Sequence, residues 1–193
     1  GSLYWNRGAG NCYKGYQNAT KTCDFTTTGL TEKAKAMIVT AKWYLGGTER
    51  YNSSSNGLAS HWYKYERGTK VYSGRGTSWT GKVGLMYLSD YGYATSGGAT
   101  TNRASCLAKE LTKWDDSSVS DCKDNDWMYN SSKSQWTITP KFNTNGVFYV
   151  DNTGYVNSNI VYGDCGVRPV VHLKSTIKIT SGTGSSTDPF ILG

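Results

Sequence analysis

The residues best suited to specific contacts lie between 127 and 165. Trp127, Tyr129, Trp136, Tyr149, Tyr155 and Tyr162 alternate there with Asn130, Ser131, Ser132, Asn152, Ser158 and further amides. Rigid rings beside adaptable amides are the composition of binding loops, and sugar rings also stack on Trp and Tyr faces. The expected ligand-binding set is Trp127, Tyr129, Lys133, Gln135, Trp136, Asn152, Tyr155, Asn157, Asn159 and Tyr162. Strand alternation turns some of these rings inward, so core aromatics with polar turns account for part of the same pattern.

A second group is acidic: Asp115, Asp116, Asp121, Asp124 and Asp126. The spacing Asp121-x-x-Asp124-x-Asp126 offers calcium several hard oxygens but lacks the glycine and terminal Glu of an EF-hand. The expectation is solvated carboxylates, with no metal and no cofactor. The 2 histidines, His61 and His172, are too few for the usual zinc site. No Gly-x-Ser-x-Gly elbow or paired-carboxylate pattern supports nucleophilic catalysis or glycoside cleavage, so the reading is of a non-enzyme. Arg168, in Gly166-Val167-Arg168-Pro169, reads as structural: it can clamp Asp164 or backbone carbonyls while Pro169 fixes φ.

Five cysteines show no CxxC pair. Cys12 with Cys23, and Cys106 with Cys122, would close two short loops of a size that disulfides commonly close. That pairing places the chain in an oxidising compartment and leaves Cys165 as the odd cysteine. No stretch approaches the roughly 20 apolar residues of a membrane span. Gly1-Ser2 reads as a cloning scar, so a signal peptide or an anchor to membrane or pilus is expected to precede this sequence.

The elements that position these residues are few. The length of 193 residues fits one domain, residues 1–193, with room for a sizeable core. Aliphatic content is low, and 7 Trp, 15 Tyr and 4 Phe make up the difference. The formal charge is +7, but the basic residues are scattered without consecutive runs, which argues against nucleic acid as a partner. Thr31 as N-cap, with Ala34, Met37, Ile38, Ala41 and Leu45 on one face, predicts a helix ending before Gly46-Gly47. His61–Tyr65 and Lys70–Tyr72 read as short strands between turns. Val83–Leu88 reads as a buried strand running into a helix capped at Ser89-Asp90, and a helical turn follows at Cys106–Leu111. The remainder reads as strands at 135–139, 146–150, 155–156, 167–173 and 177–179, with a turn at Asp151–Gly154. The sum is α+β.

Three stretches in order carry a resemblance. They are Gly81-Lys82-Val83-Gly84-Leu85-Met86-Tyr87-Leu88-Ser89-Asp90-Tyr91-Gly92-Tyr93-Ala94-Thr95; then Asp126-Trp127-Met128-Tyr129 with Gln135-Trp136-Thr137-Ile138-Thr139-Pro140; then Gly166-Val167-Arg168-Pro169-Val170-Val171-His172-Leu173. Together they resemble C-type-lectin-fold domains of surface and pilin-like proteins of gut Firmicutes, whose closing segment the tail Ser181–Phe190 also resembles. The similarity covers about residues 81–193. It implies a C-type-lectin-like fold: a small twisted antiparallel sheet with two flanking helices and long loops. The same fold carries formylglycine-generating enzymes and the variable proteins of diversity-generating retroelements, so fold alone does not decide function. The calcium motif of sugar-binding C-type lectins is absent, since Ile138-Thr139-Pro140-Lys141 has no carboxylate. The reactive cysteine pair of the enzyme branch has no counterpart here.

The resulting expectation is an extracellular ligand-binding domain on a bacterial cell surface, adhesin- or receptor-like, that recognises a glycan or protein through its C-terminal loops. The alternatives are a structural pilin or appendage subunit that self-assembles, and a variable protein of a diversity-generating retroelement.

Overall fold

A computed structural model of the chain describes residues 2–4, 30–48, 57–142, 144, 146–160, 164–185 and 187–193. Its architecture is α+β, with short helices and several small sheets. The largest sheet has five strands in the order β1 (Ser2–Tyr4), β8 (Asp164–Gly166), β5 (Gln135–Pro140), β6 (Gly146–Val150) and β7 (Val156–Ile160). Its pairs are antiparallel except β5 with β8, which run parallel with Gln135 opposite Gly166. The sheet is therefore mixed where an antiparallel one was expected.

The two faces of this sheet bury different things. Phe148 and Val150 of β6 and Val156 of β7 point into the main core. There they meet Trp62 of α2 (Ala59–Glu66), Leu88 and Tyr91 of α3 (Leu88–Ala94), and Trp114. Trp136 of β5 points the other way, into a smaller cluster with Leu85 and Cys165, flanked by Val147 and Tyr149. This is the period-2 alternation of a strand covered on both sides. Burying an indole such as Trp62 removes a large apolar area from water, and its loss would cost about 3–5 kcal/mol.

The main core is closed from one side by a disulfide. Cys106, in α4 (Arg103–Leu107), and Cys122, in α5 (Ser120–Asp124), are bonded across a sequence separation of 16. The expected Cys106–Cys122 pair is therefore present; Cys12 and Cys23 lie outside the described residues. Between α4 and α5 run two 3-10 turns, Leu111–Lys113 and Ser117–Val119.

Three local expectations fail, two of them for identifiable reasons. Thr31 does cap α1 (Glu32–Met37), accepting from the Ala34 N–H at 3.1 Å. The helix nevertheless stops at Met37, where the β-branched run Ile38-Val39-Thr40 begins. Residues Ala41–Tyr44 form β2 instead, paired with β3 (Ser78–Gly81) so that Trp43 faces Trp79. The segment read as a strand at His61–Tyr65 lies in helix α2, because Ala59, Trp62 and Glu66 recur at helical spacing and all three are buried. Lys70–Tyr72 forms no strand either.

The β6–β7 turn matches its sequence signal. The Asp151 Oδ1 accepts from the N–H groups of Thr153 and Tyr155, and Gly154 takes a φ of 92°. β9 (Pro169–Val171) pairs with β4 (Val83–Leu85), and a separate hairpin, β10 (Ile179–Ser181) with β11 (Ile191–Leu192), closes the chain.

Candidate functional site

The parallel junction of β5 and β8 opens into a shallow hollow of about 320 Å³ lined by Asn130, Lys133, Gln135, Gly166, Val167, Arg168 and Pro169. Its shape follows from how the 127–134 loop is tied. The Asp126 Oδ1 accepts from the Met128 N–H at 2.8 Å, turning the chain after α5. The Gln135 carboxamide donates through Nε2 to the Met128 carbonyl at 3.0 Å and closes the loop at its base. Within it, the Asn130 side chain accepts from the Ser132 N–H. From the far wall, Arg168 Nη1 donates to the Trp127 carbonyl at 3.3 Å.

The electrostatics are one-sided. The lining contains two cations, Lys133 and Arg168, and no carboxylate. Asp126 stands behind them, buried, with its Oδ2 lacking a partner among the described residues. Burial pushes this carboxyl up to about 7, against the pull of the Met128 and Tyr129 N–H groups and Arg168. The same burial draws the Arg168 guanidinium below its ordinary value, with Asp126 opposing.

The structure divides the expected binding residues. Trp127 is 72% exposed, the most exposed large ring among the described residues, and its own carbonyl is held by Arg168. Lys133 is exposed and lines the hollow. Gln135 lines it too, but is 3% exposed and committed to Met128. Trp136 is 1% exposed with its ring edge-on to Tyr149, so this indole belongs to the core and offers no ring to a ligand. It is turned inward because β5 lies between neighbours with both faces covered.

The others lie along the β6–β7 side. Tyr129 packs half-buried on the main core, and its hydroxyl donates to the Asn152 carbonyl at 2.8 Å. Asn152 is exposed in the turn, and Tyr155 is half-buried. Asn157 and Asn159 accept from the N–H groups of Ser158 and Ile160 on the same edge strand, at 2.7 and 2.8 Å. Tyr162 lies outside the described residues.

One lining side chain escapes the sequence reading of the site. Arg168 reads there as scaffold, yet it lines the hollow beside Asn130, which belongs to the amide-rich stretch singled out above though not to the expected binding set. Arg168 does also act structurally, holding one backbone carbonyl; the Asp164 side chain lies outside the described residues. In the acidic stretch, Asp121 Oδ2 is engaged by the N–H groups of Thr100 and Thr101, which hold its carboxyl below the ordinary range together with the Thr100 hydroxyl. Among the described residues no cluster of three His, Cys, Asp or Glu is placed to hold a metal.

No protein-family model, no curated protein and no solved structure matches the chain.

Proposed function

We propose that the protein is a non-enzymatic ligand-binding domain of a bacterial cell surface, contacting a glycan or protein through the 127–134 loop and the Gly166–Pro169 segment. The supporting observation is the hollow: amides and two cations converge in it, and Arg168 of its wall holds the backbone carbonyl of Trp127, whose ring is exposed. Concave sites with a few convergent polar groups are the usual form of small-ligand recognition. We assign the fold to the C-type-lectin type. In support, β1 and β8 join β5, β6 and β7 in one sheet, and α2 and α3 pack on one of its faces. The Cys106–Cys122 disulfide suits an extracellular location.

A glycan and protein array screened with the native chain tests this reading, repeated with Trp127→Ala and Lys133→Ala. Hits that both exposed-site variants lose support it; hits that survive both place the face elsewhere.

One observation favours the appendage-subunit alternative. The β10–β11 hairpin leaves Ile179, Phe190 and Ile191 more than half exposed, and an isolated two-stranded ribbon has little stability of its own. Self-association that Phe190→Ser abolishes would shift the assignment to that subunit role.

A further inference from the structure

A second surface, on β2, α2 and the loop after α2, shares no residue with the lining of the hollow. Among the described residues from 41 to 82 there are six basic side chains, Lys42, Lys64, Arg67, Lys70, Arg75 and Lys82, and one carboxylate, Glu66, which is fully buried. The fold gathers what the sequence scatters. Gly46 N–H donates to the Glu66 carbonyl and Gly47 N–H to the Lys70 carbonyl, so the end of β2 is tied to the end of α2 and the loop beyond it. Lys42 Nζ and Arg67 Cζ lie 5.1 and 5.5 Å from the same Tyr44 ring, and Arg67 sits 3.4 Å from the Tyr63 ring. Lys64 is three residues before Arg67 on the helix, hence its neighbour on the surface. Glu66 and the half-buried Asp90 face Arg67 from within the fold. No carboxylate among the described residues pairs with Lys42, Lys64 or Lys70, which are all exposed.

We infer that this face docks an anionic polysaccharide, with Lys42, Lys64 and Lys70 meeting its acidic groups and the exposed Tyr63 and Tyr72 rings supporting its sugars. Charge complementarity defines the partner as polyanionic, and two details select the kind. Arg67 and Arg75 lie over the Tyr63 and Tyr72 rings, so the arginine forks that grip phosphates are already stacked. The exposed large apolar side chains described between 41 and 82 are Tyr63, Tyr72 and Trp79, with no Leu, Ile or Phe to enter a bilayer. What remains is separate lysine point charges beside amphipathic rings, which matches spaced sulfates or carboxylates on a sugar chain.

The test is the retention of the full chain on immobilised heparin and polygalacturonate, with Kd measured as a function of NaCl. The triple variant Lys42→Ala/Lys64→Ala/Lys70→Ala is expected to weaken binding about tenfold and to flatten the salt dependence. A control of equal charge, Lys109→Ala/Lys113→Ala/Lys174→Ala, should bind as the native chain does. Both triples change exposed side chains only and leave Lys133 and Arg168 in place, so the outcome is separate from that of the hollow. Absent retention on both polymers overturns the assignment, as does equal weakening by the two triples. Tighter binding to duplex DNA or phosphatidylserine vesicles than to either polysaccharide also overturns it.

Discussion

Gln135 and Met128 are joined by a side-chain amide to backbone carbonyl hydrogen bond of 3.0 Å, buried at the base of the loop that carries Trp127. This bond separates residues that shape the hollow from those that would touch a ligand. Gln135→Ala leaves a buried carbonyl unpaired and should lower stability by about 1–3 kcal/mol, together with ligand binding. Trp127→Ala should leave stability within about 0.5 kcal/mol while weakening binding tenfold or more. Denaturant titration alongside array binding distinguishes the two; a Trp127 variant that loses stability as Gln135→Ala does contradicts the division.

The second prediction concerns pH. Fully buried Glu66 accepts from the Ser89 N–H and hydroxyl and from the Thr139 hydroxyl at 2.9 Å, joining α2, α3 and β5. Burial pushes its carboxyl up to about 7 from 4.5, despite those donors. The folded protein therefore holds this proton more firmly than the unfolded chain. Its contribution to stability is fullest below about pH 4.5 and declines as pH rises to about 7. Asp126, pushed up to about 7, acts in the same direction. Melting temperature should fall between about pH 5 and pH 8, and Glu66→Gln should shallow that slope. An unchanged slope would assign the pH dependence to other groups.

The third concerns the disulfide. Cross-linking Cys106 to Cys122 restricts the unfolded chain over a short loop, an effect of about 3 kcal/mol. Cys106→Ala/Cys122→Ala should unfold at correspondingly lower urea, and reductant should destabilise the native chain but spare the variant at this pair. Equal midpoints for native and variant proteins would show the loop to be held by packing alone.

The fourth concerns the sheet edge. Asn157 and Asn159 engage backbone N–H groups of the edge strand β7, withholding them from another chain. Asn157→Val/Asn159→Val frees those donors and adds β-forming side chains. The variant should sediment as dimers or larger species at concentrations where the native chain is smaller, and it fails as a prediction if the two sediment alike.

What the sequence made legible depended on whether a signal was local. Thr31 as a cap, Asp151–Gly154 as a turn and Cys106 with Cys122 all involve nearby residues, and each is found in the structure. Trp62 shows the opposite: His61, Tyr63 and Tyr65 suggest strand alternation, and only burial against Phe148, far along the chain, selects the helical face. Trp136 looked like a binding ring because polar residues surround it. Gln135, Thr137 and Thr139 are nonetheless buried, each satisfied by a partner that no short-range pattern announces. The hollow was legible on its 127–135 side alone, since its other wall arrives through the pairing of β5 with β8.

The pairing of Ser2–Tyr4 with Asp164–Gly166 bears on how the molecule is made. During synthesis Ser2–Tyr4 has no partner until Asp164–Gly166 has been made, and closing so long a loop is entropically slow. The wall carrying Arg168 follows β8 directly. A nascent chain therefore spends its longest exposure with an orphaned strand and an unfinished hollow, the interval in which a chaperone would matter most.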